Sequence, residues 1–319
     1  MKKLLTLFIF LIIIFGSLFL YYQEGSLPVN KKAKDTAIFV IRPGEAVPEI
    51  AKNLENENLI RNKVVFYWTV KRLGIDNKIQ AGDFRLSQSM SAEEIAKNLT
   101  QGTLDEWVTI IEGLRKEEVA QIMSQKFEIP EVEFTQLAEE GYLYPDTYLI
   151  PRQASSGAII SLLKNTFYQK YDKDLQAKAT KKGLTEKEVV TLASLVEREA
   201  FETDIQGVAN VLYKRLKIDM PLQVDATVQY ALGYQVQEKR WWKRSTTFED
   251  LEIDSPYNTY KNKGLPPGPI SSPGIDALKA VVNADESTPY TFYIHDKNGA
   301  IHYARTLDEH NANIKKYLE

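Results

Sequence analysis

Residues 185–200, TEKEVVTLASLVEREA, carry the strongest helix signal of the chain. Thr185 is followed three residues later by Glu188, and this capping-box pattern predicts that a helix begins here. Apolar side chains then recur at helical spacing, at Val189, Leu192, Ala193, Val196 and Ala200. The spacing predicts an amphipathic helix with one face in the interior of the protein.

Two glutamates near the end of this helix, Glu197 and Glu199, flank the predicted buried face. At about 100° per residue, Glu197 lies near +80° from the centre of that face and Glu199 near −80°. A carboxyl group beside apolar side chains loses solvation, which raises its pKa and keeps a proton available for general-acid catalysis. The helical geometry does not choose between the two, and solvated carboxylates on the helix shoulder are the alternative.

The composition indicates a globular protein and excludes several kinds of site. The chain has 319 residues, of which 44% are hydrophobic and 26% charged, enough for one large or two modest domains. A net charge of −3 does not provide the positive field that nucleic acids require, so we expect no nucleic-acid partner. Cysteine is missing, and the three histidines do not have the spacing of a helical metal site. We expect neither a metal nor a cofactor.

The amino-terminal residues predict a membrane anchor. Residues 4–22 (LLTLFIFLIIIFGSLFLYY) carry no charge, and as a helix they extend about 28 Å, close to the thickness of a bilayer core. A cleaved signal peptide is the alternative, but its apolar region is usually about 7–15 residues long. Lysines at positions 2 and 3 predict that residues 1–3 form a cytoplasmic tail and that the rest of the chain lies outside the cytoplasm.

Two strand-turn-helix units predict a small α+β module at residues 37–106. The sequence EIAKNL occurs at residues 49–54 and again at 94–99, each time after an extended segment and a turn. Such units cannot bury their own apolar faces and must pack together, although common helix-forming residues can also recur by chance. Residues 23–36, before the module, are polar and include Gly25 as a helix breaker, and they predict a flexible tether.

Tyrosine and proline are dense in other segments. Residues 140–148 (EGYLYPDTY) place three tyrosines around a Pro-Asp turn, and such rings either pack in a core or stack on a ligand such as a sugar. Residues 255–260 (SPYNTY) and 264–270 (GLPPGPI) predict a rigid loop system, because proline fixes φ and glycine allows a close approach. Ser272 is predicted to cap a helix over residues 273–282.

Residues 221–230 predict a row of polar side chains. In an extended strand alternate side chains point to the same face, which would align Gln223, Asp225 and Thr227. A solvated edge is the alternative. Residues 239–244 (KRWWKR) combine four cations with two indole rings, which suits headgroups, phosphates or sugars, while local packing of the tryptophans is an equal alternative.

Five segments occur in the order found in the MltG (YceG-like) endolytic murein transglycosylases, and the chain resembles that family. The segments are EGYLYPDTY at 140–148, LASLVERE at 192–199, LQVDAT at 222–227, SPYNTY at 255–260 and GLPPGPI at 264–270. The ending from Phe292 to Asn311 is also similar. The resemblance covers nearly the whole chain and implies an α+β fold with an N-terminal transmembrane helix, a LysM-like module at 37–106 and a YceG-like catalytic domain at 107–319.

The resemblance implies a lytic transglycosylase that cuts peptidoglycan glycan strands internally and thereby ends their elongation. The bond cut joins N-acetylmuramic acid to N-acetylglucosamine, and the product has a 1,6-anhydro end. One carboxyl group suffices for this reaction, because the 6-hydroxyl of the muramic acid takes the place of water, whereas ordinary glycosidases use two carboxylates. The expected partners are glycan strands and the membrane, with peptidoglycan synthases as further candidates. The expected location is the cell membrane, with a single span and an extracytoplasmic catalytic domain.

The same resemblance assigns the site. It implies Glu197 as the catalytic residue and Glu199 as a supporting residue. The side chains assigned to substrate binding with Glu199 are Gln223, Asp225, Thr227, Tyr257, Asn258, Thr259 and Tyr260. The sequence departs from the family at Val224 and Ala226, where Thr and Pro are common, and at Ala200, where Thr is common, which concerns the fine geometry of the pocket.

Two other functions stay open at this stage. A muramidase-type hydrolase would use Glu197 together with Asp225, which would activate water, and it would leave reducing ends. A non-catalytic protein would be a membrane-anchored scaffold that binds the wall through its LysM-like module.

Overall fold

The structure is a computed structural model that describes residues 2–42, 44–100, 105–201 and 203–319, with the backbone alone for residues 2–9 and 11. The architecture is α+β, and the chain divides into two compact units. The first unit comprises Met1–Trp107 and Leu149–Gln153, and the second comprises Val108–Tyr148 and Ala154–Glu319. Residues 101–104, near the end of the predicted module, lie outside the described residues.

Among its described residues, the first unit contains one complete two-stranded sheet and four helices. Its elements are α1 (Lys2–Ser26), β1 (Ala37–Ile41), α2 (Val47–Asn56), α3 (Lys63–Leu73), β2 (Gly82–Leu86) and α4 (Ala92–Asn98). Strands β1 and β2 are antiparallel, with Phe39 opposite Phe84, and both rings are buried. The two EIAKNL segments lie in α2 and α4 and bury equivalent side chains, Ile50, Ala51 and Leu54 in one and Ile95, Ala96 and Leu99 in the other. The repeat therefore encodes the packing of this unit.

Helix α1 continues into the segment predicted to be a tether. The helix ends at Ser26, and its last turns pack on α3. A Cβ atom at Gly25 would lie 2.6 Å from Cγ2 of Val65, and the Tyr22 hydroxyl lies 3.0 Å from Oγ1 of the buried Thr69. Residues 23–26 are thus helical rather than flexible, because the glycine that looked like a helix breaker permits a close contact between helices.

The predicted membrane anchor at residues 4–22 remains a prediction. Residues 4–9 and 11 of that stretch lie outside the residues whose side chains the structure describes. Among the residues that are described, no helix combines the length and the hydropathy that crossing a membrane requires.

The second unit is mainly helical. Its helices are α5 (Lys116–Lys126), α6 (Glu131–Leu137), α7 (Ser156–Lys170), α8 (Lys173–Lys181), α9 (Glu186–Glu199), α10 (Ile205–Lys217), α11 (Asp225–Leu232), α12 (Ile275–Val282) and α13 (Leu307–Tyr317). Strands β3 (Asp105–Thr109) and β4 (Thr147–Pro151) pair with each other, and the division between the units falls inside both. Strands β5 (Phe292–His295) and β6 (Ile301–Ala304) form an antiparallel hairpin on which α13 packs.

Helix α9 is the centre of the second unit. The Thr185 side chain accepts a hydrogen bond from the Glu188 backbone and the Glu188 side chain accepts one from the Thr185 backbone, which confirms the predicted capping box. The helix packs against α8, α10, α11 and α12. Every residue from Val189 to Val196 is buried, so the helix is enclosed on all sides over this length. The sequence predicted one buried face, and the buried surface of the helix is wider than that.

Two local predictions are wrong. Residues 225–232 form α11 instead of an extended strand, because the Thr227 hydroxyl donates to the Val224 carbonyl at 2.7 Å and closes the first turn. Ser272 does not cap the next helix, which begins at Ile275 after Gly274. Instead, the Ser272 backbone N–H donates to the Leu114 carbonyl at 2.8 Å, and this bond joins two distant loops.

Candidate active site

The side chains of Glu197 and Glu199 contact different parts of the second unit. Oε2 of Glu197 accepts a hydrogen bond from the backbone N–H of Gly274 at 2.9 Å, just before α12. Oε2 of Glu199 accepts one from the Tyr293 hydroxyl at 3.0 Å, in strand β5. Both glutamates are partly exposed. The two neighbouring carboxylates therefore belong to two different environments.

Glu199 lines an open pocket of about 500 Å³ within the second unit. Elements from distant parts of the sequence form its walls: the end of α9, the start of α11, strand β5 and helix α13. Its polar lining consists of Glu199, Arg215, Gln223, Asp225, Tyr260, Tyr293, His310 and Asn311. Four of the predicted site residues thus meet here, and Glu197 is not among the lining residues.

Burial raises the pKa of Glu199 to about 7. The hydrogen bond from Tyr293 opposes this shift, and so does one from the backbone N–H of Ala226 in the first turn of α11. The neighbouring Asp225 carboxylate raises the pKa further, because two negative charges repel each other. At neutral pH the Glu199 carboxyl group therefore exists in both protonation states, which suits a group that first donates a proton and then accepts one.

Glu197 lies at a junction of loops outside this pocket. Burial raises its pKa to about 7 as well, the Gly274 hydrogen bond opposes the shift, and the Glu112 carboxylate adds to it. The backbone N–H of Gly113 donates to the Ser272 carbonyl at 2.9 Å, so the residues around Glu197 are held by main-chain hydrogen bonds. The pKa therefore does not distinguish the two glutamates, whereas their surroundings do.

Asp225 and Tyr260 are paired in the pocket. The Tyr260 hydroxyl donates to Oδ1 of Asp225, and burial, together with this carboxylate, raises the pKa of Tyr260 well above its usual range. Tyr260 therefore stays protonated and holds the Asp225 carboxylate in place. Gln223 adopts a φ of 52°, in the left-handed region that residues other than glycine seldom occupy. Such strain is common at functional sites.

The other predicted contact residues support the pocket from behind. Asn258 and Thr259 are buried, and Nδ2 of Asn258 donates to the Leu251 and Ile253 carbonyls. Oγ1 of Thr259 accepts from the Val224 N–H at 3.0 Å and lies 2.9 Å from Oγ1 of Thr227, which is also buried. These side chains therefore fix the backbone that carries Gln223 and Asp225.

Tyr257, the remaining predicted contact residue, lies away from the pocket. Its ring is partly buried and packs beside Tyr230, with 4.9 Å between the ring centroids.

The two tryptophans of the 239–244 segment pack against residues from distant parts of the sequence within the second unit. Trp242 is buried, its ring lies 3.9 Å from the Arg198 guanidinium, and its Nε1 donates to Glu118 at 2.8 Å. Trp241 lies 4.4 Å from the Arg115 guanidinium. The aromatic part of this segment thus packs against the unit that carries the site.

Four polar residues of the pocket were not predicted from the sequence: Arg215, Tyr293, His310 and Asn311. Three of them lie in the carboxy-terminal stretch that resembles the family, and this stretch was the available signal. Their side chains come from a strand and a helix with no motif for ligand binding. Over the described ranges, no three His, Asp or Glu side chains come together in a way that could hold a metal ion.

Comparison with known proteins gives consistent matches over most of the chain. The model of the YceG-like family matches residues 39–316. The chain is 32% identical to the endolytic murein transglycosylase of Bacillus subtilis (strain 168), covering 96% of this chain and 91% of that protein. It is 30% identical to the endolytic murein transglycosylase of Streptococcus pneumoniae serotype 2 (strain D39), covering 93% of this chain but 61% of that longer protein. A crystal structure of a YceG-like protein from Listeria monocytogenes has a TM-score of 0.62 and 29% identity, covering 88% of this chain and 99% of that one.

Proposed function

Because the chain belongs to the YceG-like family, we propose that it is an endolytic murein transglycosylase, the activity for which its Bacillus and Streptococcus relatives are named. One observation carries the proposal: a partly buried carboxyl group, Glu199, whose pKa is raised to about 7, lines an open polar pocket. Cleavage of a glycan by one group that acts first as acid and then as base requires such a carboxyl group in a space that the substrate can enter.

The reaction follows from this carboxyl group. Protonated Glu199 donates its proton to the glycosidic oxygen as the bond from N-acetylmuramic acid to N-acetylglucosamine breaks, and positive charge develops at the anomeric carbon. The resulting carboxylate then takes the proton of the muramic acid 6-hydroxyl while that oxygen attacks the anomeric carbon. The enzyme returns to its starting state, and the strand keeps a 1,6-anhydro end without consuming water.

The family resemblance implies Glu197 as the catalytic residue. We instead assign the role of the acid to Glu199. Glu199 shares its pocket with Gln223 and Asp225, whereas the Glu197 carboxylate is bonded to the Gly274 backbone at a loop junction. A substrate that contacts the polar lining of the pocket therefore meets Glu199. In this assignment Gln223, Asp225 and Tyr260 contact the glycan, while Thr227, Asn258 and Thr259 hold their backbone.

A second candidate function rests on Asp225, which lies in the same pocket as Glu199. In a muramidase-type hydrolase Asp225 would activate water, and the product would have a reducing end. The Tyr260 hydroxyl donates to Oδ1 of Asp225 and holds this side chain in place, which favours a role in positioning the substrate. A scaffold without catalysis is the third outcome of the test.

The test is a product analysis with the full chain and uncrosslinked glycan strands in water enriched in ¹⁸O. A transglycosylase gives fragments that are lighter by one water than the hydrolysis products and that contain no label. A hydrolase gives reducing ends that carry the heavy oxygen, and a scaffold gives no fragments. Either of these results would overturn the proposal.

The proposal includes a location and an organisation of the chain. We propose that residues 4–22 form a single membrane span, that the first unit is LysM-like, and that the second unit acts outside the cytoplasm. The uncharged run at 4–22 and the paired EIAKNL helices support this arrangement. We also propose that peptidoglycan synthases are partners, because newly made strands are the substrate. Protease added to intact protoplasts should remove the second unit if the arrangement is correct, and protection of that unit would contradict it.

A further inference from the structure

Helix α13 presents one continuous face to the pocket that contains Glu199. Leu307, His310, Asn311 and Ile314 all line this pocket, and their spacing of three, four and seven residues places them on the same side of a helix. None of these residues was assigned by sequence reasoning. The face is apolar at its two ends and polar and uncharged in the middle.

The imidazole of His310 is neutral and incompletely bonded. Burial and the nearby Arg215 lower its pKa below the usual value for histidine. Its Nδ1 is buried and has no hydrogen-bond partner within the described part of the chain. An unpaired buried N–H is rarer than an unpaired acceptor, so we place the ring proton on Nε2. His310 then offers one neutral donor, and the exposed Asn311 amide offers both a donor and an acceptor.

Further contacts between α13 and the β5–β6 hairpin fix this face. The rings of His302 and Tyr317 are stacked with 3.6 Å between their centroids, and His310 stacks on Phe292 at 5.1 Å. Nδ2 of Asn313 donates to the Tyr303 carbonyl at 3.2 Å. Because these contacts hold α13 on the hairpin of β5 and β6, its pocket face is a rigid surface suitable for recognition.

This pattern matches an acetamido group better than a hydroxyl group. An acetamido group has a carbonyl that accepts a hydrogen bond, an N–H that donates one, and a methyl group that prefers apolar contact. His310 and Asn311 supply the complementary polar groups, and Leu307 and Ile314 supply apolar surface beside them. A sugar with hydroxyl groups alone would leave the apolar ends without a partner.

We propose that this face of α13 recognises the N-acetyl group of the sugar bound next to Glu199. The inference rests on the proposed function, because both sugars of murein strands carry such a group. It adds a specificity determinant to which the sequence assigned no role in binding.

The test is a binding measurement with the full chain carrying Glu199→Gln, so that strands stay intact. Uncrosslinked strands are compared with the same strands after removal of the N-acetyl groups and after chemical re-acetylation. We expect deacetylated strands to bind about tenfold more weakly and re-acetylated strands to regain affinity. The ammonium groups left by deacetylation are attracted by Asp225 and repelled by Arg215, so the Asn311→Ala chain, which keeps both charged side chains, separates the loss of the acetamido contact from the effect of charge.

Adding Asn311→Ala should lower the affinity for acetylated strands about fivefold and bring the two affinities closer together. Lys315→Ala, an exposed change on α13 away from the pocket, is the matched control and should preserve the preference. Equal binding of acetylated and deacetylated strands by the Glu199→Gln chain, or an undiminished preference after Asn311→Ala, would overturn the inference. Binding does not depend on which products form, so this result stays separate from the product analysis.

Discussion

Glu197 and Glu199 lie on the same turn of α9 but face different surroundings. Glu197 is bonded at a junction of loops, whereas Glu199 lines the pocket. Burial raises the pKa of both carboxyl groups to about 7. At the junction the partner of the carboxylate is a backbone N–H just before α12, and in the pocket it is a tyrosine hydroxyl beside polar side chains from α11 and α13. A raised pKa therefore marks burial, and only access to a substrate-sized space marks a catalytic acid.

The largest effect on the cleavage rate is expected from replacing Glu199 by glutamine, with the same replacement at Glu197 for comparison. Glu199→Gln should reduce the rate of strand cleavage at least about 100-fold, because the amide cannot donate the proton. Glu197→Gln is the matched control and should keep the rate within a few fold, because its carbonyl oxygen still accepts from Gly274. Both rates are measured by release of anhydro ends. The reverse ranking would move the active site to the junction.

The next effect concerns stability at the junction. Glu197→Leu leaves the Gly274 N–H without its acceptor and should lower the free energy of unfolding by about 1–3 kcal/mol. Glu197→Gln keeps the bond and should cost much less. Urea unfolding of the two variants gives the comparison, and equal losses would show that the hydrogen bond does not hold the junction.

Stability should also fall as the pH rises. The folded pKa values of Glu197 and Glu199 are about 7, above the value of 4.5 for a free glutamate, so between these values the folded state binds more protons than the unfolded chain. Stability is therefore highest below about pH 4.5 with respect to these groups and is lost progressively up to about pH 7. The free energy of unfolding measured across this range should decline less in Glu197→Gln than in the unaltered chain. An equal decline in the two would contradict a raised pKa for Glu197.

A smaller effect, on the pH dependence of the rate, is expected from replacing Tyr293, which donates a hydrogen bond to Glu199. Tyr293→Phe removes a hydrogen bond that favours the ionised carboxyl group, so the pKa of Glu199 should rise. The rate should then persist to higher pH than in the unaltered chain. Tyr260→Phe is a useful comparison, because Tyr260 bonds to Asp225 and not to Glu199. A fall in activity at lower pH in Tyr293→Phe would contradict the proposed role of this bond.

Much of the fold could be predicted because its signals are local. The capping box at Thr185, the apolar spacing that follows it and the EIAKNL repeat each depend on residues a few positions apart. Predictions failed where a distant contact decides the conformation. Gly25 is a helix breaker in sequence but lies against Val65 in the structure, and Ser272 bonds to Leu114 instead of capping a helix.

The site shows the same limit. A helical wheel places Glu197 and Glu199 on the two flanks of α9, but it gives no information on which distant residues pack against each flank. Gly274 follows Glu197 by 77 residues and Tyr293 follows Glu199 by 94, and these separations lie beyond any local pattern. The pocket face of α13 could be recognised only after the helix had been placed on the β5–β6 hairpin.

The most direct test of the assignment is the dependence of kcat/KM on pH in the unaltered chain and in Glu197→Gln. Both should lose activity as the pH rises through about 7, with superimposable curves, because this fall reports the loss of the proton from Glu199 in the free enzyme. If the fall disappeared or moved by about one pH unit in Glu197→Gln, the titrating acid would be Glu197, and the assignment made from the pocket would be wrong.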